Sequence, residues 1–143
     1  MPSNRVTLVA YVALYEKRIE IRWRDLDAYA HVNQAVYATY FEETLDQWLR
    51  GVLGLGEGEV WDYVAARVAI DYRSELRLGD REVIGSTRLE GIGTKSVTAR
   101  AEVRAADGRL AAEAEIVVVA RDPETGESRP LSESERAAFE AAL

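Results

Sequence analysis

The chain has 143 residues, a formal net charge of −7, 48% hydrophobic and 30% charged residues, three prolines and no cysteine. That length suits one domain with a sizeable core, and so apolar a composition excludes a disordered chain. The acidic balance argues against a duplex-binding surface, and the absence of cysteine excludes disulfide scaffolds, thiol nucleophiles, iron–sulfur clusters and thiolate zinc sites.

Residues 7–15, TLVAYVALY, form an apolar run too short to span a bilayer. Glu16-Lys17-Arg18 follows where a secretory signal would place small residues. Residues 1–16 are therefore expected to be an N-terminal arm or lead-in strand, and the cytoplasm is the expected compartment. Residues 17–24, KRIEIRWR, alternate strictly, with Ile19, Ile21 and Trp23 on one face, and predict a half-buried strand.

DLDAYAHVN breaks that alternation and ends at Asn33, a candidate N-cap. Val36, Tyr37, Tyr40, Phe41, Thr44, Leu45 and Trp48 then recur at helical spacing, which predicts a helix over 34–50 with Gly51 as its stop. Gly51, Gly54, Gly56 and Gly58 mark a loop. Residues 63–73 alternate again, with Val64, Ala66, Val68, Ile70 and Tyr72 on one side and Arg67, Asp71 and Arg73 on the other.

Leu78-Gly79-Asp80 signals a turn, and further strands are expected at 82–89, 96–105 and 110–121, the last two joined at Asp107-Gly108. Such short connections make the strands antiparallel. Residues 122–143 read as a C-terminal tail in which Ser132 and Glu135 fit the capping box of a short helix. One long helix and one antiparallel sheet make an α+β chain, a single unit over 1–143, with the helix across the concave face and open edge strands inviting a second copy.

Several common chemistries fail on inspection. There is no G-x-S-x-G elbow, His31 is the sole histidine, and neither glycine cluster matches a dinucleotide or P-loop motif. No metal-ligand spacing is present, so no metal site is expected.

The segment from Asp25 to Asn33 carries more polar residues than a connection needs. Asp25 and Asp27 suit turns and Asn33 suits a cap. The same segment also leads into a helix N-terminus, whose free N–H groups and positive dipole end form a site for an oxyanion. A carboxylate a few residues earlier then faces an electrophile held by those N–H groups, a minimal acyl-transfer arrangement. Spacing alone does not choose between Asp25 and Asp27. Tyr29, Tyr37, Tyr40 and Trp61 belong either to an aromatic pocket or to the core.

RWRDLDAYAHVNQAVYATYFEE, VAIDYRSELRLGDREV and GIGTKSVTARAEV, in this order and followed by an apolar last strand, resemble the hotdog-fold acyl-CoA thioesterases of the 4-hydroxybenzoyl-CoA thioesterase type. The likeness spans residues 17–122. It implies a sheet wrapped around one central helix and hydrolysis of an acyl-CoA thioester. It also implies that Asp27, the second Asp of D-x-D, acts as nucleophile or general base, and that the backbone N–H of Gln34 receives the carbonyl oxygen.

His31 and Asn33 match the family's HVN, His31 as a positioning or a structural residue and Asn33 as a cap with an added positioning role. Glu42 matches a frequent helix carboxylate. Tyr29-Ala30 departs from a small-residue-plus-Gly pair, and Leu45 stands where many members have Arg. Lys95 and Ser96 match the loop that meets coenzyme A phosphates and pantetheine, and Arg67 and Arg73 are expected to join Lys95 in a basic cluster.

The implied partners are an acyl-CoA and further copies of the chain, as a dimer or tetramer with the site between subunits. Neither nucleic acid nor membrane is expected, and no cofactor beyond the coenzyme A of the substrate. Two other readings stand beside this one. One is a non-catalytic acyl-CoA or acyl-carrier-protein binding hotdog protein. The other is a hotdog hydratase, whose D-x-N-P-x-H is not met because His31 follows Asp27 by four residues and the Asn-Pro pair is missing.

Overall fold

The structure, a computed structural model, describes residues 15–143. The apolar run and arm expected over 1–16 lie outside the described residues except for Tyr15 and Glu16, which open the first strand. The elements are β1 (Tyr15–Glu20), α1 (Gln34–Val52), β2 (Tyr63–Tyr72), β3 (Glu82–Ile92), β4 (Ser96–Ala105), β5 (Leu110–Ala120) and α2 (Glu133–Ala141), with 3-10 turns at Trp23–Asp25 and Leu78–Asp80. The five strands form one sheet in the order β1-β3-β4-β5-β2, and every neighbouring pair is antiparallel.

Alternation decides which face of the sheet is buried. Val97, Ala99, Ala101, Val103 and Ala105 of β4 and Ala112, Ala114, Ile116, Val118 and Ala120 of β5 point inward. Tyr37, Tyr40, Phe41, Thr44, Leu45, Trp48 and Leu49 of α1 are buried with them, and α1 lies against β1, β3 and β4. Small inner residues let the helix come close. At Gly85 of β3 the approach is tightest, because a Cβ there would collide with Thr44 Oγ1. This is the hotdog arrangement, one long helix across a curved antiparallel sheet.

Three sequence expectations are corrected. The first strand ends at Glu20 rather than continuing to residue 24, because the Asp25 carboxylate takes the Arg22 N–H at 2.8 Å and closes a 3-10 turn that leaves Trp23 79% exposed. Gly51 lies inside α1; the helix runs on to Val52, and Gly54, with φ +64°, makes the left-handed exit. In β2 a bulge between Ala65 and Arg67 shifts the alternation. Opposite residues share a face, so Tyr63 and Ala65 join Val68, Ile70 and Tyr72 on the helix-side face, where Val68 and Tyr72 stay half exposed, while Val64 goes with Arg67 on the other.

In the tail the short helix and its Ser132 capping box form as expected, and α2 buries Phe139 against Trp48 and Trp61, which makes the segment part of the core. Hydrogen bonds from Arg129, stronger in effect than the opposing burial, and others from the Ser132 N–H and Trp61 hold the Glu135 carboxyl down at about 2.

Candidate active site

The Asp25–Asn33 segment folds into a closed loop. Leu26 and Val32 form an antiparallel bridge, Asp27 N–H donates to His31 O at 2.8 Å, and Asp27 Oδ1 accepts from the Tyr29 and His31 N–H groups at 2.9 and 3.3 Å. Ala30, at φ +62°, holds the left-handed position that closes the loop. A glycine there is free of the Cβ penalty that Ala30 bears.

Val32 N–H donates to Leu76 O at 2.8 Å and Asn33 N–H to Asp25 O at 2.8 Å, which pins the loop to the segment after β2. Asn33 caps α1 through its side chain, which accepts from Ala35 N–H at 2.9 Å, while its carbonyl takes the Val36 N–H. The cap leaves the N–H of Gln34 as the first-turn donor it does not use.

The two aspartates have different surroundings. Asp25 is 1% exposed and accepts from Arg22 N–H, the Arg22 guanidinium and the Tyr40 hydroxyl at 2.8–3.2 Å. Burial pushes its carboxyl up, but these hydrogen bonds together outweigh burial and bring it below the ordinary Asp value. Burial, with Asp25 beside it, also pushes the Tyr40 hydroxyl well up. Asp27 instead lines a cavity of about 680 Å³, together with Tyr29, His31, Asn33, Gln34 and Tyr37 from the loop and helix and Tyr72, Arg73 and Glu75 from the end of β2.

Aromatic groups shape the cavity. Tyr37 and Tyr72 meet edge to face at 5.2 Å, and the Tyr72 hydroxyl donates to Gln34 O at 3.0 Å. Of the four aromatics left between pocket and core, Tyr29 and Tyr37 line the cavity, whereas Tyr40 is tied to Asp25 and Trp61 belongs to the α2 core. Leu45 is buried in the core; Glu42 is exposed and lines a separate hollow of about 360 Å³ with Glu43, Asp46 and Tyr63. Sequence reasoning missed Tyr72 and Glu75 as neighbours of Asp27, since pairing across more than forty residues leaves no local pattern.

The expected basic cluster does not form within one chain. Arg67 pairs with Glu115 at 2.5 Å, and Arg73 with Glu113 at 3.0 Å and Asp71 at 3.8 Å. Lys95 instead bonds the Ser128 hydroxyl at 3.3 Å. Lys95 O accepts from Ala120 N–H, and Ala120 pairs with Tyr63, so Lys95 and Ser96 sit at the far end of the sheet from Tyr72. From Ala112 to Ala120 that is about 27 Å at the usual strand rise. The C-terminal segment braces this turn: Leu131 N–H and Arg136 reach Thr94 O, and Arg136 also reaches Gly93 O at 2.7 Å.

Among the described residues no group of three or more His, Cys, Asp or Glu is arranged to hold a metal ion. No helix among them is long and apolar enough to cross a membrane.

Comparison with known proteins places this chain in one family. The model of the thioesterase-like superfamily matches residues 21–139, so the chain belongs to that superfamily. No curated protein matches. A thioesterase from Thermus thermophilus, solved with coenzyme A and Zn, is 32% identical over 89% of this chain and 92% of its own, with a TM-score of 0.73. A predicted thioesterase from Bacillus stearothermophilus (22% identity, 92% of this chain and 97% of that one, TM-score 0.81) and DHNA-CoA thioesterase from Staphylococcus aureus (18%, 90% and 87%, 0.77) share the fold.

Proposed function

We propose that the protein hydrolyses an acyl-CoA thioester to the free acid and coenzyme A. The observation that carries this reading is that the Asp27 carboxylate and the N-terminal turn of α1 at Gln34 are walls of one cavity. The Gln34 N–H receives the thioester oxygen, with the helix dipole favouring the charge that develops on it. Asp27 acts as general base or as nucleophile.

As base, Asp27 takes a proton from water, whose oxygen attacks the carbonyl carbon. The C–S bond then breaks, and the thiolate takes up the proton. As nucleophile, it attacks the carbonyl carbon and the C–S bond breaks to expel the thiolate, giving a mixed anhydride that water hydrolyses to the free acid and the Asp27 carboxylate, the proton released going to the thiolate. A thiolate is a good leaving group, so one carboxylate and one oxyanion donor suffice without a strong acid. Asn33 positions the first turn of the helix, and His31 lies beside Asp27 on the same loop.

Coenzyme A enters as part of the substrate. Lys95 and Ser96 receive its phosphates and pantetheine, and because they lie at the far end of the sheet, they come from a second copy. β2 is an edge strand whose Val68 and Tyr72 remain 46% and 49% exposed. Pairing β2 with its equivalent about a two-fold axis reverses the strand. The Tyr72 end of one copy, with its cavity, then lies next to the Tyr63 end of the other, beside its Lys95 turn. The working unit in this reading is a dimer, alone or within a tetramer, acting in the cytoplasm.

The test is thiol release from a panel of aliphatic and aromatic acyl-CoAs by wild type and Asp27→Asn. The amide keeps an acceptor for the Tyr29 and His31 N–H groups, so folding is retained, while turnover falls ~10²-fold or more. Equal activity of the variant would remove Asp27 from its role. Saturable acyl-CoA binding without release by wild type would replace hydrolysis with a binding function.

A further inference from the structure

Glu75 lies on the segment after β2, and its carboxylate closes on the imidazole of His31. Glu75 Oε2 is 2.7 Å from His31 Nε2. On the other oxygen, Glu75 Oε1 accepts from Arg77 Nε and Nη2 at 3.1 and 2.9 Å. That guanidinium holds the Glu75 carboxyl below the ordinary Glu value. Arg77 Nη2 also comes within 3.2 Å of His31 Nε2.

Nε2 faces both a carboxylate oxygen and a guanidinium N–H: protonated it donates to Glu75, and unprotonated it accepts from Arg77. In the Nε2-protonated tautomer the ring donates to Glu75, and Arg77 anchors that acceptor. The backbones of the two segments are locked at the same place by the Val32 N–H to Leu76 O bond, and Leu76 is fully buried. The fold thus holds the two backbones together, and the side chains that meet on them are 36% and 49% exposed.

We infer that Glu75 is a positioning residue for the hydrolysis proposed above, holding the His31 ring by Nε2 so that Nδ1 remains as the acceptor for a water at Asp27. The inference rests on that reading of the site. His31 and Asp27 are already joined through the His31 N–H and Asp27 Oδ1, and Glu75, His31 and Asp27 line the same cavity. Fixing one ring nitrogen as donor decides what the other presents. Arg77, by occupying Oε1, commits Oε2 to the ring.

The test uses the full chain and two readouts. Glu75→Ala lowers kcat about tenfold, the scale of a misplaced catalytic group, with KM held within about twofold because the ring does not bind the coenzyme. Glu75→Gln keeps an oxygen acceptor and restores most of kcat. In a His31→Ala background, Glu75→Ala adds no further loss. His31 is the sole histidine, so the ¹⁵N spectrum of labelled protein reports this one ring: Glu75→Ala moves its Nδ1 and Nε2 signals toward each other as the tautomer is released.

A wild-type enzyme active on thioesters whose Glu75→Ala variant keeps full kcat, or an unchanged ring spectrum in that variant, overturns the inference alone. A wild type inactive on every thioester overturns the hydrolysis reading and this inference with it.

Discussion

Replacing Asp25 by alanine deletes the acceptor for the Arg22 N–H, the Arg22 guanidinium and the Tyr40 hydroxyl. Arg22 is exposed, and water takes the place of its lost partner. Tyr40 is 2% exposed, so its hydroxyl is left unpaired in the core, a penalty of about 1–3 kcal/mol. The middle of that range, about 2 kcal/mol, corresponds to roughly 7 °C in Tm for a chain of this size. Thermal unfolding followed by circular dichroism at pH 7 measures it.

The pH dependence carries a sign. Asp25 has a folded value below its unfolded one, so its stabilisation is fully present above about pH 4 and fades as pH falls through the lowered folded value. The gap in Tm between wild type and Asp25→Ala is therefore constant near neutrality and narrows below about pH 4. A Tm within about 2 °C of wild type at pH 7, or a gap that does not change down to strongly acid pH, would refute the assignment of Asp25 as the strut behind the loop.

Three further outcomes are expected. Ala30→Gly relieves the left-handed backbone at φ +62° and raises stability by about 1 kcal/mol in urea titration; a loss would mean the loop does not hold that conformation. Gly85→Ala forces a methyl against Thr44 Oγ1 and costs about 1–3 kcal/mol by the same assay, with Thr44→Ala in the same chain restoring part of it. Lys95→Ala raises KM for acyl-CoA about threefold, the scale of one exposed charge contact, and leaves kcat nearly unchanged; an unaltered KM would return Lys95 to a solvated turn residue.

Local pattern alone determined the α1 face, the strands β3 to β5, the Asn33 cap and the Ser132 box, because each depends on residues close to one another in the chain. The D-x-D loop and the helix start after it were legible for the same reason. What escaped was every feature that depends on a partner distant in the chain or on a break in local repetition. Trp23 reads as the next inward residue until the Asp25 carboxylate closes the turn before it, and Val64 shares a face with Val68 until the bulge shifts the phase.

Tertiary structure likewise separated two aspartates that point alike in an extended segment, burying Asp25 under Tyr40 and leaving Asp27 at the cavity. It set Glu75 against His31 and carried Lys95 to the opposite end of the sheet from Asp27. The physical reason is one of range. Side-chain alternation and capping are local and repeat along the chain, whereas the wall of a cavity is assembled from segments that meet only after the sheet has paired.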